Sequence, residues 1–451
     1  MTKPDFSVRG QQVLVVGAAR SGVAAAQLLA RRGAIVTLTD VKSEIAEAAE
    51  LQAAGVQLEL GGHVATTFES SQLIVLSPGV PLDLPELARA KAAGVAVIGE
   101  LELASRWLRG PIVAITGTKG KSTTTTLVGR MLEAAGRRVM VGGNIGYPLS
   151  AQVDDSTADT VHVVETSSFQ LETTDTFRPW IAALLNFSPD HLDRHPDEAS
   201  YAAAKLRIFA NQGPDDWAVV NADSPEAMQM AHNVRARVVT YGVDQAADVH
   251  VGRGFVWQRT SEGDIPLLPV AAVHLHGRHM LSNVVAATAI SHLAGASGSS
   301  LAKALEDFRG LEHVMELVAS RGAVRFINDS KATNVAAAVK SIESFDRVVA
   351  IVGGKYKGGN FGDLAAPLQD HGRAVVAIGE ARPMVTSALK GIVPVVEAGT
   401  MAEAVRQAWD LARPDGVVLL APACASFDMF RDYADRGRRF KDEVRRLISE
   451  V

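Results

Sequence analysis

The segment Thr116-Gly117-Thr118-Lys119-Gly120-Lys121-Ser122-Thr123 lies between the apolar run Ile112-Val113-Ala114-Ile115 and a helix-forming run from Thr124 to Ala135. A strand that ends in glycines and continues into a helix presents unpaired backbone N–H groups, and the helix dipole adds positive potential. Lys121 can reach the terminal phosphate oxygens of a nucleotide, and the hydroxyls that follow it can bind a Mg²⁺ ion held by the phosphates. The segment therefore predicts a nucleotide phosphate site.

This loop is shorter than the common phosphate-loop pattern, because only Thr118 and Lys119 separate the first glycine from Gly120-Lys121. An ordinary strand-to-helix turn that happens to contain lysines is the alternative explanation. The strand, the loop and the helix nevertheless follow one another in the order that phosphate binding requires. We therefore prefer the phosphate site.

The composition indicates an enzyme rather than a nucleic-acid-binding protein. The chain has 451 residues, enough for about three domains. Its formal net charge of −5 argues against a dominant basic surface for nucleic acid. Cys424 is the only cysteine, so no disulfide can form within the chain and a cytoplasmic setting is expected. We find neither a signal-peptide segment nor an apolar run of membrane-spanning length, and therefore expect no membrane insertion.

The first part of the chain predicts a doubly wound sheet. Strand Gln12–Val16 leads into the loop Gly17–Gly22 and an alanine-rich helix, and a second strand ends at Asp40. An open parallel sheet of this kind binds its ligand at the carboxyl ends of the strands. The loop lacks the middle glycine that lets a dinucleotide pyrophosphate approach the backbone, so a nucleotide of another kind is favoured over a redox dinucleotide.

Strands and helices continue to alternate along the chain, which predicts an α/β protein of three domains. The expected domains are a Rossmann-like N-terminal domain at residues 1–109, a central P-loop-type ATP-binding α/β domain at 110–309 and a Rossmann-like C-terminal domain at 310–451. Within the central domain we expect a helix at 200–210 and a β-rich region at 237–275.

Oxygen-bearing side chains follow the central strands and are candidates for Mg²⁺, which prefers oxygen ligands and keeps several waters. Glu165 ends the strand beside the phosphate-loop strand and is a candidate ligand, with a helix N-terminal carboxylate as the alternative. Asn144, in Gly142-Gly143-Asn144-Ile145-Gly146, is either a ligand-binding amide or a turn residue. Lys205 follows three alanines and, from its chemistry alone, is expected to be a solvent-exposed helix lysine.

The segment Asp190-His191-Leu192-Asp193-Arg194-His195-Pro196 places five ionisable groups in seven residues. Two histidines four residues apart are compatible with zinc, but the following proline and the loop context weaken that interpretation. An oxygen-rich site with one histidine suits Mg²⁺ or Mn²⁺ better, and a plain charged loop is the remaining alternative.

Seven motifs, in their order along the chain, make this sequence resemble the Mur ligases of peptidoglycan synthesis over essentially its whole length. The first five are shared with the related folylpolyglutamate synthetases, and the last two resemble the members that add D-glutamate. The motifs are Thr116-Gly117-Thr118-x-Gly120-Lys121-Ser122-Thr123, Gly143-Asn144-Ile145-Gly146, Glu165-Thr166-Ser167-Ser168-Phe169-Gln170-Leu171, Asp190-His191-Leu192-Asp193-Arg194, Tyr201-x-x-x-Lys205-Leu206-Arg207-Ile208, Asn328-Asp329-Ser330-Lys331-Ala332-Thr333-Asn334 and Pro422-Ala423-Cys424-Ala425-Ser426-Phe427-Asp428.

The resemblance implies an ATP-dependent amide ligase of cytoplasmic peptidoglycan precursor synthesis. In the D-glutamate-adding members, ATP phosphorylates the terminal carboxylate of UDP-N-acetylmuramoyl-L-alanine, and the amine of D-glutamate then displaces phosphate from the acyl phosphate. The resemblance also implies Mg²⁺ or Mn²⁺ as cofactor. It further implies carbamylation of Lys205, which turns a cation into a carboxylate-like metal ligand. We expect the protein to be a monomer.

The same resemblance assigns roles to individual positions. The catalytic residues would be Lys121, Glu165, His191 and Lys205, and the metal ligands would be Ser122, Glu165, His191 and carbamylated Lys205. The ATP contacts would be Gly117, Thr118, Lys119, Gly120, Lys121, Ser122, Thr123, Asn283 and Asp329. The UDP-substrate contacts would be Ser21, Asp40, Ser77, Pro78, Gly79 and Asn144. The D-glutamate contacts would be Lys331, Thr333, Lys357, Ser426 and Phe427.

The sequence departs from the family pattern at several positions. Lys119 stands where an asparagine is common, Met280 stands where an asparagine near adenine is common, and Val314 replaces an arginine that contacts the γ-phosphate. We hypothesise that Lys119 partly replaces the charge missing at Val314. A divergent glycine-rich loop leaves open whether Lys355 or Lys357 contacts glutamate.

Two other functions stay open at this point. One is a ligase for a different amino acid or a folylpolyglutamate synthetase, against which Asp40, the Ser77-Pro78-Gly79 turn and the last two motifs argue. The other is a nucleotide-binding regulatory protein that has lost ligation, which only Val314 and Met280 favour.

Overall fold

A computed structural model describes residues 6–191, 194–275, 277–356 and 358–450. The chain forms two compact units, Met1–Phe308 and Arg309–Val451. Lys357, one of the expected D-glutamate contacts, lies outside the described residues. Within the described ranges, no helix combines the length and the apolar character needed to cross a lipid bilayer.

The first unit begins with a parallel sheet. Its strands are β1 (Gln12–Val16), β2 (Ile35–Asp40), β3 (Gln57–Leu60), β4 (Leu73–Leu76) and β5 (Ala96–Gly99), and its helices are α1 (Arg20–Arg31), α2 (Ala48–Ala53), α3 (Ala65–Ser70), α4 (Pro85–Ala92) and α5 (Glu100–Ser105). The strand order is β3-β2-β1-β4-β5, with every pairing parallel. Val13 and Val15 pack on one face of the sheet, whereas Leu14 and Val16 pack on the other. Both faces are therefore covered, as the doubly wound prediction requires.

The second sheet of the first unit is centred on the phosphate-loop strand. Its strands are β6 (Ile112–Thr116), β7 (Arg138–Gly143), β8 (Thr160–Glu165), β9 (Ile181–Leu184), β10 (Trp217–Asn221), β11 (Arg237–Gly242), β12 (Val249–Gly252), β13 (Phe255–Thr260) and β14 (Gly263–Pro269), and its helices are α6 (Lys121–Ala134), α7 (Ser168–Leu171), α8 (Glu198–Leu206), α9 (Pro225–Met230), α10 (Arg278–Leu293) and α11 (Gly298–Lys303). The strand order is β14-β13-β12-β11-β10-β9-β6-β8-β7. β6 is buried at every position and pairs in parallel with β8 and β9, so the residues that follow these three strands meet at one edge.

Helix α8 starts and ends earlier than the predicted helix at 200–210. The side chain of Asp197 accepts a hydrogen bond from the Ser200 backbone N–H at 2.7 Å and caps the helix at its true start. After α8 the chain continues as a short 3₁₀ turn at Arg207–Phe209. The β-rich region predicted at 237–275 is present as strands β11 to β14, whose last two pairings are antiparallel.

The second unit contains a third sheet. Its strands are β15 (Glu316–Arg321), β16 (Val324–Asn328), β17 (Val348–Gly353), β18 (Gly372–Ile378), β19 (Val395–Glu397) and β20 (Val417–Leu420), and its helices are α12 (Val335–Ile342), α13 (Ala365–His371), α14 (Arg382–Leu389), α15 (Met401–Ala412) and α16 (Tyr433–Glu450). The order β15-β16-β20-β17-β18-β19 places the motif-bearing segments after β16 and β20 side by side, because these strands are parallel neighbours. The three-domain α/β prediction is confirmed, while the boundaries at 109/110 and 309/310 stay predictions.

A buried carboxylate joins the first two sheets. Glu102, in α5, accepts hydrogen bonds from the backbone N–H groups of Asp175, Thr176 and Phe177 at 2.8, 3.0 and 2.9 Å. It also accepts one from Arg106 Nε at 2.7 Å and one from the Thr176 hydroxyl at 2.6 Å. Burial opposes ionisation, but these hydrogen bonds outweigh it and lower the pKa of Glu102. The ionised carboxylate therefore ties α5 to the segment that precedes β9.

We predict that Glu102→Gln lowers the free energy of unfolding of the first unit by about 3 kcal/mol, because an amide cannot accept all of these bonds. Since the folded pKa lies below the ordinary value of 4.5, the ionised group stabilises the fold above that pH and loses its effect as the pH falls through the folded pKa. Chemical denaturation at several pH values should show a difference between wild type and variant that shrinks on acidification. Glu50→Gln, which alters an exposed carboxylate bonded to Gln27, is the control. A pH-independent difference would contradict this account.

Candidate active site

The phosphate loop connects β6 to α6 through a left-handed turn. Gly120 caps α6 with a φ of 82°, a conformation that L-residues with side chains rarely adopt. The Lys121 ammonium donates to the backbone carbonyls of Gly117 and Thr118, both at 2.9 Å. The loop therefore curls around the lysine that was predicted to bind phosphate.

Asn186, which follows β9, clamps the same loop from the neighbouring strand. Its side-chain oxygen accepts from the backbone N–H groups of Thr118 and Lys119 at 3.1 and 2.9 Å, and its amide donates to the Lys119 carbonyl at 3.0 Å. Asn186 was not among the site residues predicted from the sequence, although a polar residue shortly after the strand beside β6 was an available signal.

The N-terminal part of α10 lies against the phosphate loop. A Cβ atom placed on Gly120 would come within 2.2 Å of Asn283 Oδ1, and Asn283 is buried. Met280, one turn earlier, is also buried, and its sulfur lies 3.9 Å from the Asn283 amide nitrogen. The structure thus brings the expected adenine-side residue Asn283 into contact with the loop that carries Lys121.

We predict that Gly120→Ala raises the KM for ATP by about tenfold or more, since the methyl group must displace the Asn283 side chain at the phosphate loop. Steady-state kinetics at varied ATP would measure the effect. Gly136→Ala is a matched control, because Gly136 follows the other end of α6 with a φ of 77° and open space around its Cβ position. The control should lose stability from the backbone conformation alone and keep its KM for ATP. Equal KM values in the two variants would refute a role for the Gly120–Asn283 contact.

The two carboxylate oxygens of Glu165, at the end of β8, differ in their hydrogen bonding. The side chain is buried, and its Oε1 atom accepts from the Asn144 amide at 2.7 Å. Its Oε2 atom is buried without a hydrogen-bond partner among the described residues. The Asn144 backbone N–H also donates to the Glu165 carbonyl at 2.9 Å. Asn144 therefore orients Glu165, and the bare Oε2 suits a cation better than it suits an apolar interior.

Lys205 is buried, so the prediction that it is a solvent-exposed helix lysine is wrong. Its side chain leaves α8 towards the phosphate loop and donates to the Gly117 carbonyl at 2.8 Å, sharing that acceptor with Lys121. Burial and the neighbouring Lys121 ammonium lower the pKa of Lys205 to about 6. The Tyr201 ring, centred 4.5 Å from the Lys205 nitrogen, covers it from one side. At neutral pH the Lys205 amine is therefore largely uncharged.

The two histidines of the charged segment have different environments. His191 is half exposed, has a φ of 56° and sets its ring edge-on to Phe169 at 5.1 Å. His195 is buried beneath Phe169, with Nε2 2.9 Å from the Ser168 hydroxyl and Nδ1 3.3 Å from Glu172. His195 is thus occupied by protein contacts, which argues against the two-histidine zinc site. In the described part of the chain, no cluster of three or more His, Cys, Asp or Glu side chains could hold a metal.

The expected UDP-substrate residues lie around the first loop of the N-terminal sheet. Asp40 accepts from the backbone N–H groups of Ala18 and Lys42 at 2.5 and 2.9 Å, and the Ser77 hydroxyl donates to the Gly17 carbonyl at 2.9 Å. Asp40 and Ser77 therefore fix the loop from two sides. The remaining expected contacts, which lie at the start of α1 and in the turn after β4, are Ser21, Pro78 and Gly79.

In the second unit, a buried arginine holds the two expected glutamate-binding loops together. Arg436, in α16, is fully buried and donates to the Ser330 hydroxyl and carbonyl at 3.0 and 2.9 Å. It also donates to the carbonyls of Cys424 and Ala425 at 3.1 and 3.3 Å. Ser426 is buried beside these bonds and Phe427 is exposed. Arg436 was not among the residues predicted from the sequence, because an arginine in a strongly charged helix gives no sign that it is buried.

Asp329, expected on the ribose side of ATP, is bonded within its own unit. Its carboxylate accepts from the Ser341 hydroxyl and from the Met315 backbone N–H, the latter at 3.2 Å. Burial raises the pKa of Asp329 against the opposing effect of these hydrogen bonds. Lys331 and Thr333, expected at the glutamate site, follow in the same segment and are partly buried.

Comparison with known proteins identifies the family. The family description "Mur ligase MurD-like, N-terminal domain" matches residues 11–99, "Mur ligase middle domain" matches 115–291, and "Mur ligase, glutamate ligase domain" matches 315–424. The UDP-N-acetylmuramoylalanine--D-glutamate ligase of Acidobacterium capsulatum is 47% identical over 97% of this chain and 97% of its own length. The chain belongs to the Mur ligase family. The protein of the same name from Geotalea daltonii is 44% identical, covering 98% of this chain and 99% of its own, so this Mur ligase is of the MurD type.

Solved structures agree on the fold of this Mur ligase. The UDP-N-acetylmuramate-alanine ligase MurC of Thermotoga maritima superposes with a TM-score of 0.58 at 20% identity, over 98% of this chain and all of its own. A pseudomurein peptide ligase type C from Methanothermus fervidus gives 0.59 at 17% identity, over 97% of this chain and all of its own. At these identities the likeness concerns the fold alone.

Proposed function

We propose that this Mur ligase adds D-glutamate to UDP-N-acetylmuramoyl-L-alanine, using ATP, in peptidoglycan precursor synthesis. The observation that carries the proposal is the near-complete alignment with proteins named as D-glutamate ligases, at 47% and 44% identity. The geometry of the first unit supports it, because the Lys121 loop, the bare Glu165 oxygen and the buried Lys205 amine lie where β6, β8 and α8 converge.

The reaction follows from the chemistry of a carboxylate, which is a poor electrophile until it carries a leaving group. A carboxylate oxygen of the alanyl group attacks the γ-phosphorus of ATP and releases ADP. The amine nitrogen of D-glutamate then attacks the acyl carbon, an amide forms, the nitrogen loses a proton and inorganic phosphate leaves. Lys121 would neutralise the charge on the phosphoryl group, while the loop clamped by Asn186 positions it.

The donors around Glu165 fit a divalent cation such as Mg²⁺ or Mn²⁺. Glu165 Oε2 is a buried oxygen without a hydrogen-bond partner among the described residues. Ser122, the second residue of α6, would add a hydroxyl oxygen, and His191 would add a ring nitrogen. Few protein ligands suffice, since Mg²⁺ takes its remaining ligands from phosphate and water. When bound, the ion supplies Lewis-acid stabilisation of the developing phosphoryl charge. Asn144 would keep Glu165 turned toward it.

We further propose that Lys205 is carbamylated. Its pKa of about 6 keeps the amine neutral at pH 7, and a neutral amine is the form that attacks CO₂. The N–C bond forms as the nitrogen loses a proton, leaving a carbamate anion. The anion would relieve the repulsion from Lys121, with which Lys205 shares the Gly117 carbonyl, and would add an oxygen ligand for the cation.

The remaining assignments are proposals that rest on the family and on the contacts described above. The UDP-substrate would contact Ser21, Asp40, Ser77, Pro78, Gly79 and Asn144, and ATP would contact Gly117, Thr118, Lys119, Gly120, Lys121, Ser122, Thr123, Asn283 and Asp329. D-glutamate would contact Lys331, Thr333, Lys357, Ser426 and Phe427. We also propose that the protein acts as a cytoplasmic monomer, a setting in which the single, buried Cys424 stays reduced.

Phosphate release from ATP tests the proposed reaction. The assay contains UDP-N-acetylmuramoyl-L-alanine with D-glutamate, L-glutamate, other amino acids or no amino acid. We expect release that requires both the UDP-substrate and D-glutamate. Turnover with another amino acid would keep the ligase and reassign its acceptor. Absence of turnover in folded protein that binds ATP would favour the regulatory alternative.

A further inference from the structure

Arg194 connects the segment that carries His191 to the N-terminal sheet. Its guanidinium donates to the Val80 carbonyl at 2.6 Å and to the Gly79 carbonyl at 3.3 Å. These carbonyls belong to the turn after β4, which the Val80 N–H closes by donating to the Ser77 carbonyl at 3.0 Å. A planar fork that binds two adjacent carbonyls fixes the orientation of a turn as well as its distance. Arg194 therefore holds the turn proposed for the UDP-substrate.

The same arginine packs on the aromatic ring that contacts His191. Its guanidinium carbon lies 5.0 Å from the centre of the Phe169 ring. That ring makes a T-shaped contact with the His191 ring and stacks on buried His195 at 17°. The backbone N–H groups of Arg194 and His195 both donate to the His191 carbonyl, at 3.0 and 2.9 Å. These two bonds support the left-handed backbone of His191, a conformation that residues with a side chain rarely adopt.

We propose that Arg194 is a positioning residue that fixes the spacing between the UDP-substrate turn and His191. This inference rests on the proposed function, which places the substrate at one end of the arginine and the cation at the other. Because Arg194 and Phe169 link the two places through one stack, a ligand that orders one place lowers the cost of ordering the other. The consequence is a favourable coupling between UDP-substrate binding and metal–nucleotide binding.

Calorimetric titration of UDP-N-acetylmuramoyl-L-alanine, with and without saturating Mn²⁺ and a non-hydrolysable ATP analogue, measures this coupling. For wild type we expect the metal–nucleotide complex to tighten substrate binding by about tenfold. Arg194→Lys keeps the charge and loses the planar fork. The ratio of its substrate dissociation constant without the metal–nucleotide complex to that with the complex should therefore fall close to one. Phe169→Leu leaves the turn hydrogen bonds in place and removes the ring, and it should lower the same ratio.

Arg237→Lys is the matched control, because Arg237 also lies over an aromatic ring, Trp217 at 5.3 Å, and donates to the Pro214 carbonyl at 2.8 Å. Its ratio should equal that of wild type. A merely structural Arg194 would weaken both dissociation constants together and leave their ratio unchanged, which would overturn the inference. A wild-type ratio of one would overturn it as well. Either result leaves the proposed function standing if wild type still releases phosphate with D-glutamate, whereas wild type without that turnover would refute the function itself.

Discussion

Exchanging Lys205 for methionine is expected to lower kcat by about a thousandfold, while the variant unfolds at no lower temperature than wild type. Methionine fills the buried slot under Tyr201 and has no amine to carbamylate. It also removes an amine that burial and Lys121 make costly to charge, which is why stability should not fall. Steady-state kinetics and a thermal melt measure the two effects. Lys340→Met, which alters an exposed lysine paired with Glu343, is the control and should change neither.

NMR distinguishes a loss of activity caused by missing carbamylation from one caused by a packing defect. Wild type equilibrated with ¹³C-labelled bicarbonate should give a carbamate carbon signal by NMR, and the variant should give none. Lys205→Glu, which carries a carboxylate without carbamylation, should recover part of the lost activity. If the wild-type signal is absent and Lys205→Met keeps its kcat, the carbamylation proposal is wrong.

Replacing Glu165 with glutamine is also expected to lower kcat by about a thousandfold and to raise the Mg²⁺ concentration needed for half-maximal rate. The substitution keeps the shape of the side chain and an acceptor for the Asn144 amide, but it replaces the buried, unpaired Oε2 by a neutral group. Rates at varied Mg²⁺ separate the metal effect from a general loss. Glu133→Gln, at an exposed position of α6, is the control. A variant with wild-type metal dependence and only a small loss of kcat would exclude Glu165 as a metal ligand.

Much of the fold could be predicted, because strong local signals and tertiary packing agree. The apolar run at 112–115 between polar neighbours predicted a buried strand, and β6 is buried throughout. The loop at 17–22 lacks the middle glycine of the dinucleotide pattern but is still tight. A Cβ atom placed on Gly22 would lie 1.8 Å from the Gly17 carbonyl oxygen, so only glycine fits there. The helix at 200–210 was displaced because its start depends on the cap by Asp197, which the pattern of apolar residues does not reveal.

Site residues could be predicted where they stand next to a strand in the sequence. They could not be predicted where their role depends on being buried by distant segments. Lys121 and Glu165 come directly after β6 and at the end of β8, so their convergence follows from the parallel order of those strands. Lys205 follows alanines that are equally typical of a surface helix, and only the packing of α8 against the phosphate loop buries it. Arg194 acts by binding backbone carbonyls of a distant segment, and such a contact leaves no spacing pattern in the chain.

Transfer of ¹⁸O tests the central claim most directly, namely that this site activates a carboxylate by phosphorylation. UDP-N-acetylmuramoyl-L-alanine labelled with ¹⁸O in its terminal carboxylate is converted with ATP and D-glutamate, and the released phosphate is analysed by mass spectrometry. An acyl phosphate formed beside Lys121 and Glu165 predicts one ¹⁸O atom in each phosphate released, because the bridging oxygen leaves with phosphorus when the amine attacks carbon. Product formation with unlabelled phosphate would contradict the account, since the carboxylate oxygen would then never have been bonded to phosphorus.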